Sequence, residues 1–169
     1  MNYIHTDYYN FLFKTSFYNS KKINLKNGLN LMEKELLKLG SKKIIIPTYN
    51  YDFVKEKIFN IEKDKSQSGS FTEYFRKKYK HNRTNIPIYS SCSNYKITNF
   101  QNEKKIIDVL GEDSDFNYLM KNNGNIIHFE CNFGSTFMIF IEKLNLKKII
   151  YSYTKRINGV SIEENKKKK

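Results

Sequence analysis

Hydrophobic and polar positions alternate along the chain with helical and strand-like periods. Over residues 25–39 the apolar side chains recur mostly every three or four positions, with Lys and Glu between them, and Gly40 follows. This spacing predicts an amphipathic helix that ends near the glycine. Residues 69–79 carry aromatic side chains on one helical face and charged ones opposite, and residues 136–144 form a third helical stretch.

Four short runs of β-branched or aromatic residues predict buried strands, because turns or charged residues bound each of them. They are residues 3–5, 43–47, 125–129 and 148–153. Strands that alternate with helices are typical of an α/β fold. We therefore predict one three-layer α/β/α domain over residues 1–160, with a central sheet that is mostly parallel or mixed, and a solvated lysine-rich tail over 161–169.

Two polar segments between these elements are predicted to be ordered loops. Residues 85–94 contain a proline, several hydroxyl side chains and a thiol. Residues 111–116 form an acidic turn, in which Ser114 or Asp113 can cap a helix that begins at Phe116.

The net charge is the one feature of the composition that changes this picture. Among the 169 residues, Lys and Arg number 30 and Asp and Glu 17, a formal net charge of +13, which raises nucleic acid or an anionic membrane as partners. The surplus is nearly all Lys, spread along the chain with abundant Asn, Ile and Tyr, a bias that AT-rich coding imposes. We therefore expect a solvated basic surface, with no membrane association and at most weak, non-specific binding of DNA or RNA.

Cysteine and histidine spacing argues against a metal site. Cys92 and Cys131 stand alone, which indicates neither a zinc site nor a disulfide framework and fits a reducing, cytoplasmic setting. His5, His81 and His128 are too far apart to form a helical ligand pair, so we expect no metal. The chain has no leader-like start and no run of about 20 apolar residues, so we expect neither secretion nor a membrane span.

Common catalytic motifs are missing from the sequence. It contains no dinucleotide-binding G-x-G-x-x-G, no P-loop, no G-x-S-x-G and no glycine loop of the GNAT acetyltransferases. His5 stands at the end of the first predicted strand, where open α/β sheets bind ligands. His128 lies in an apolar strand and is interpreted as a packed core residue, and His81 is interpreted as exposed.

Four motifs, in order along the chain, carry a family resemblance. The first is Tyr-Ile-His-Thr-Asp at 3–7, and the second is Ile-Ile-Ile-Pro-Thr-Tyr-Asn-Tyr at 44–51. The third is Ser-Gln-Ser-Gly-Ser-Phe-Thr-Glu-Tyr-Phe-Arg at 66–76, which continues through 83–90. The fourth joins Gly-Glu-Asp-Ser-Asp-Phe at 111–116 to residues 126–136 and Glu142.

These motifs resemble the aminoglycoside 3-N-acetyltransferase family over residues 3–159. The resemblance implies a three-layer α/β/α fold distinct from GNAT and transfer of an acetyl group from acetyl-CoA to an amino sugar. The acceptor is either an aminoglycoside antibiotic or a sugar destined for surface glycan, and its amine attacks the thioester directly. The resemblance also implies that the pantetheine arm lies along the strand ends, at His5, Thr6, Asp7, Pro47, Thr48 and Ser90.

Departures from the family pattern bear on activity. The family loop Arg-Ser-x-His-Pro-x-His-Ser supplies its second His as the general base, whereas this chain has Ile86 and Tyr89 at the two His positions. Tyrosine is a poor base, with an ordinary pKa of about 10. Another family His is replaced by Ile139, and the chain ends soon after Gly159, where relatives continue.

The remaining candidates for catalysis are Tyr89 and Glu142. We expect an acetyltransferase impaired by loss of the base, since removing one costs about 10²- to 10⁴-fold in rate. The alternative is an inactive, truncated family member that binds CoA or a sugar. The sequence leaves the oligomeric state and the acceptor open.

Overall fold

The computed structural model describes residues 1–19, 23–39, 42–97, 107–132, 136–145 and 155–163. The strand predicted at 148–153 lies outside these residues. The strands are β1 (Asn2–Thr6), β2 (Ile44–Pro47), β3 (Ile58–Asn60), β4 (Ser91–Ser93), β5 (Asn125–Phe129) and β6 (Val160–Ile162). The helices are α1 (Tyr8–Asn19), α2 (Leu25–Lys38), α3 (Phe53–Glu56), α4 (Ser70–Lys78), α5 (Asp115–Lys121) and α6 (Thr136–Leu144), with a 3-10 turn at Lys80–Asn82.

The central sheet has four strands in the order β4-β2-β1-β5. Strand β1 pairs in parallel with β2 on one side and with β5 on the other, whereas β4 runs antiparallel to β2. The sheet is therefore mixed and mostly parallel. Since β1, β2 and β5 are parallel, their carboxyl ends meet at one edge.

Helices cover both faces of this sheet. Alternate residues of a strand point to opposite faces, so Ile4, Ile44 and Ile46 pack against α1, α2 and α4. Their neighbours Tyr3 and Ile45 pack instead against aromatic and aliphatic side chains of α5 and α6. Two apolar layers on a central sheet form the three-layer α/β/α arrangement, which confirms the predicted fold class.

Capping residues determine where three of the helices begin. The Asp7 carboxylate accepts a hydrogen bond from the Asn10 amide at 3.0 Å at the start of α1. Asn24 accepts from two amides at the start of α2. The Ser114 hydroxyl accepts from the Asn117 amide at 3.1 Å, so the predicted cap of α5 is confirmed for Ser114.

A second, two-stranded sheet pairs β3 with β6 in parallel. A small cluster of buried residues, Phe53, Phe59 and Ile61, packs beside it. Strand β6 includes Ser161 and Ile162, the first residues of the segment predicted as a tail. Residues 164–169 lie outside the described part of the chain.

The buried Arg83 side chain connects the two sheets. Its guanidinium is almost fully buried and lies over the Phe59 ring, 4.9 Å from the ring centre. Burial lowers the pKa of Arg83 to about 10, so the group is still charged at neutral pH. It donates four hydrogen bonds, to the backbone oxygens of Thr48 (2.7 Å), Ile61 (3.1 Å) and Asp64 (2.5 Å) and to the Ser90 hydroxyl (3.1 Å).

We predict that Arg83→Lys destabilises the fold while keeping the charge. A lysine ammonium cannot match the planar fork, so buried carbonyl oxygens lose their donors. The expected loss is about 3 kcal/mol in the free energy of unfolding, measured by chemical denaturation. The control Arg156→Lys changes an exposed arginine and is expected to have little effect. Equal stability of both variants would contradict this role of Arg83.

Candidate functional site

A cavity of about 220 Å³ lies where β1, β2 and β5 end. Strand β1 contributes His5 and Thr6, and β2 contributes Pro47. The remaining lining residues come from segments that follow the strands or begin helices, among them Tyr49, Ser68, Thr72, Cys131, Asn132 and Thr136. The cavity therefore lies at the sheet edge where α/β folds commonly bind ligands.

The structure separates the six residues that the resemblance implies for acetyl-CoA into two groups. His5, Thr6 and Pro47 line the cavity together. Thr48 and Ser90 are fully buried beside it, where the Thr48 amide donates to the Ser90 carbonyl oxygen at 2.8 Å.

Asp7, the sixth of these residues, is exposed and caps α1. It contributes indirectly to the cavity wall, because its amide donates to the Phe129 carbonyl oxygen at 3.2 Å and so joins the ends of β1 and β5.

Neither of the two candidate catalytic residues is among the residues that line the cavity. Tyr89 is half-buried, and its ring packs edge-on against Tyr49 with the ring centres 5.3 Å apart. Burial raises the pKa of Tyr89, which weakens it further as a base. Glu142 is exposed on α6 and is not among the residues that line the cavity.

The imidazole ring of His5, which lines the cavity, stacks on the ring of His128. His5 and His128 occupy paired positions on β1 and β5, and their ring centres lie 5.3 Å apart with planes inclined by 10°. Burial, together with the nearby His128, lowers the pKa of His5 to about 4. The His5 ring is therefore neutral at neutral pH. His128 packs against His5 and lies within hydrogen-bond distance of Cys131, but it is half-buried and therefore more exposed than the core residue that the sequence predicts.

A cysteine lies beside this imidazole pair. The Cys131 sulfur lies 3.8 Å from Nδ1 of His128 and lines the same cavity. Burial and the Asp7 carboxylate raise the pKa of the thiol, so it carries its proton at neutral pH. The sequence indicates Cys131 only as an unpaired thiol. The signal for a role at the site is its position two residues after a predicted strand, since ligands bind at strand ends in open α/β sheets.

A buried network of hydroxyl groups extends from the cavity into the apolar layer between the sheet and helices α5 and α6. The Tyr3 hydroxyl lies within hydrogen-bond distance of the Tyr49 hydroxyl at 3.2 Å and of the Ser91 hydroxyl at 3.1 Å. The network continues through Ser91, whose amide donates to the Thr84 hydroxyl at 2.9 Å. Because Tyr49 lines the cavity, this network connects the cavity to the interior. Its members are far apart in sequence, and no local pattern indicates them.

A buried carboxyl group, Asp115, terminates this network. Its Oδ2 accepts a hydrogen bond from Thr84 at 3.0 Å, while its Oδ1 has no partner within the described part of the chain. Burial raises the pKa of Asp115 to about 7, although the neighbouring Ser91 and Thr84 oppose this rise by stabilising the carboxylate. The group is therefore a mixture of acid and carboxylate near neutral pH.

The described lining residues suit a neutral polar ligand. They offer an imidazole, a protonated thiol, hydroxyls and an amide, with no carboxylate among them. Within the described residues, no group of three or more His, Cys, Asp or Glu is arranged to hold a metal ion.

In comparisons with known proteins, the chain matches no family model, no curated protein and no solved structure. The aminoglycoside acetyltransferase resemblance therefore stays a prediction. None of the helices in the described ranges is both long and apolar enough to cross a bilayer.

We predict that Asp115→Asn changes how stability depends on pH. Between about pH 4 and pH 7 the unfolded chain has released the Asp115 proton while the folded chain keeps it, so the free energy of unfolding falls as pH rises. The slope from this group is about 1.4 kcal/mol per pH unit. The variant has no such group, so its stability relative to the parent chain is expected to improve steadily from pH 4 to pH 7.

The quantity to measure is the difference in the free energy of unfolding between the parent chain and Asp115→Asn. His5 affects the pH dependence of stability in the opposite direction over part of this range. Its lowered pKa makes stability rise with pH between about 4 and 6.5. Denaturation of parent and variant at matched pH values cancels that contribution. The exposed control Asp52→Asn is expected to give a much flatter difference, and a flat difference for Asp115→Asn would contradict the raised pKa.

Proposed function

We propose that this protein is an acetyl-CoA-dependent N-acetyltransferase of an amino sugar, slowed by the absence of the family's loop histidine. The observation that supports it best is the cavity at the carboxyl ends of β1, β2 and β5. Three of the residues that the resemblance implies for acetyl-CoA come together there: His5 and Thr6, which are neighbours on β1, and Pro47, which lies far from them in sequence.

The size and polarity of the cavity suit the reacting end of the cosubstrate. About 220 Å³ is smaller than the roughly 300–1,000 Å³ typical of sites that enclose a whole drug-sized ligand. It is enough for an acyl thioester and the adjoining part of the pantetheine arm, with the nucleotide outside. The hydroxyls of Thr6 and Thr136 are groups that can donate to the oxygen of a thioester as negative charge develops there.

Weak base catalysis is the reason to expect a slow enzyme. An amino-sugar ammonium must lose a proton before or during attack. Tyr89, at the position of the family's base, has a raised pKa, and the neutral His5 imidazole is also a weak base because its pKa is about 4. The acceptor, an antibiotic or a glycan sugar, would therefore react mainly as the small fraction already present as free amine.

The proposal assigns the protein to the cytoplasm, where acetyl-CoA is available. The two cysteines are unpaired, as expected of a reducing compartment. Its partners would be acetyl-CoA and the amino-sugar acceptor.

We predict that Asn132→Trp blocks acetyl-CoA binding. Asn132 is exposed and lines the cavity, so an indole at this position fills the entrance without disturbing the core. Affinity for acetyl-CoA, measured by calorimetry, is expected to fall by roughly tenfold or more. Asn122→Trp is the matched control, because Asn122 is exposed and precedes the amino end of β5. Equal affinity of both variants would move the binding site elsewhere.

We predict that Tyr89→His raises the rate of acetyl transfer, because it restores a base of suitable pKa beside the cavity. Thiol release in the presence of amino sugars is expected to be well below about 1 per second in the parent chain and on the order of 10²-fold faster in the variant. Tyr89→Phe is the control for the change of ring. Ile86 is left unchanged, because its side chain is buried and an imidazole there would disturb the core.

The outcomes separate the two candidate functions. Acetyl-CoA binding with no turnover in either protein would support the alternative, a CoA-binding relative without catalysis. An ordinary enzymatic rate in the parent chain would contradict the proposed impairment.

A further inference from the structure

Cys131 is a nucleophilic side chain to which the resemblance gives no role. The chain has one other cysteine, Cys92, which is fully buried and donates to the Tyr79 carbonyl oxygen at 3.2 Å. Cys131 is half-buried and lines the cavity. The two thiols therefore differ in access to a ligand, and only Cys131 faces the proposed cosubstrate.

We propose that Cys131 accepts the acyl group from the thioester and passes it to the amine, so that transfer proceeds through an acyl-cysteine intermediate. This inference rests on the proposed function, since it assigns a route to the same reaction. It replaces direct attack of the amine on acetyl-CoA with two successive transfers.

The arrangement of side chains around the sulfur supports this role. Nδ1 of His128 lies 3.8 Å from the sulfur, within the range of a hydrogen bond that involves sulfur. On the neighbouring strand β1, the His5 ring stacks on the His128 ring, which restricts the orientations that the His128 ring can adopt. A thiol next to an imidazole that a third group orients is the usual arrangement of a cysteine nucleophile.

The backbone turn after β5 places the Cys131 sulfur at the edge of the sheet where the parallel strands end. Glu130, which precedes Cys131, has a positive φ of 56°, so the chain turns sharply after β5. Asn10 on α1 holds this turn through a hydrogen bond from its side-chain amide to the Glu130 carbonyl oxygen at 2.7 Å, and Lys14 forms an ion pair with the Glu130 carboxylate at 2.5 Å. The turn is therefore anchored to the rigid layer of helices.

The reaction balances without any further reactant. In the first step the Cys131 sulfur attacks the thioester carbonyl, its proton moves to His128, and the carbon–sulfur bond to CoA breaks. The proton then passes from His128 to the departing CoA thiolate. In the second step the amine attacks the carbonyl carbon of the acyl-cysteine, an amide bond forms and the bond from that carbon to the Cys131 sulfur breaks. The departing Cys131 thiolate takes up the proton that the amine loses, which regenerates the thiol. The thiol carries its proton at neutral pH, so a nearby acceptor is required for the first step.

Intact-mass spectrometry tests the inference with two thioester probes. Acetyl-CoA probes the complete cosubstrate, and the acetyl thioester of N-acetylcysteamine probes the thioester end alone. We expect each probe to add one acetyl group to the chain, on the peptide that contains Cys131, and hydroxylamine to remove it. Calorimetry with acetyl-CoA, run in parallel, reports binding independently of acylation.

Variants identify the residue and its partner. Cys131→Ala is expected to lose the adduct, whereas the matched control Cys92→Ala is expected to keep it. His128→Gln is expected to slow acylation on the order of 10²-fold while Cys131 still reacts with iodoacetamide, which shows that the sulfur is accessible. The half-buried position of Cys131 makes the alanine variant compatible with the fold, and circular dichroism checks this.

The possible outcomes distinguish this inference from the proposed function. Acetyl-CoA binding with no adduct from either probe would overturn the acyl-cysteine and leave the acetyltransferase proposal standing. Acylation of Cys131 by the short thioester, with no binding of acetyl-CoA, would support the nucleophile and contradict CoA as the cosubstrate. An adduct that persists in Cys131→Ala would also overturn the inference.

Discussion

The position of the candidate site depends on one buried cation. Arg83 donates hydrogen bonds to residues in three segments: Thr48 after β2, Ile61 and Asp64 after β3, and Ser90 before β4. A buried charge is tolerated only when its hydrogen-bond donors find acceptors. Three chain segments are therefore held around one rigid, planar group. The end of β2 brings Pro47 to the cavity, and the segment before β4 brings Tyr89 beside it. The hydrogen bonds from Arg83 to Thr48 and Ser90, the sequence neighbours of Pro47 and Tyr89, help to hold both segments in place.

Strand β1 contributes side chains to the apolar layers on both faces of the sheet, because its side chains alternate, and it also contributes residues to the site. Tyr3 faces the layer of α5 and α6, where its hydroxyl joins the network that ends at Asp115, whereas Ile4 faces the other helical layer. His5 and Thr6, at the end of the strand, are the first residues past the packed layers and reach the cavity. A central strand that is buried on both faces can present polar chemistry only at its end. This explains why the site lies at the edge of the sheet.

Local patterns predicted the strands at the centre of the sheet and the strongly amphipathic helices, and they missed elements whose pattern is mixed. Helix α1 buries Tyr8 and Phe11 but exposes Tyr9, Phe13 and Phe17, so aromatic residues occupy both faces and hide the helical period. Strand β4 is a run of hydroxyl and thiol side chains within a segment predicted as a loop. It is buried because long-range hydrogen bonds satisfy its polar groups, and no local pattern carries that information.

For the candidate site, the sequence by itself determined that His5 lies near the end of one strand and that Pro47 ends another, because strand ends follow from hydrophobic runs and the residues that stop them. Only the tertiary structure decided that His5 stacks on His128 beside Cys131, since strand order determines which residues become neighbours. The pKa of Asp115 is likewise decided by the tertiary structure, because burial raises it. Burial depends on packing against elements distant in sequence, and the identity of a residue does not reveal how far it will be removed from water.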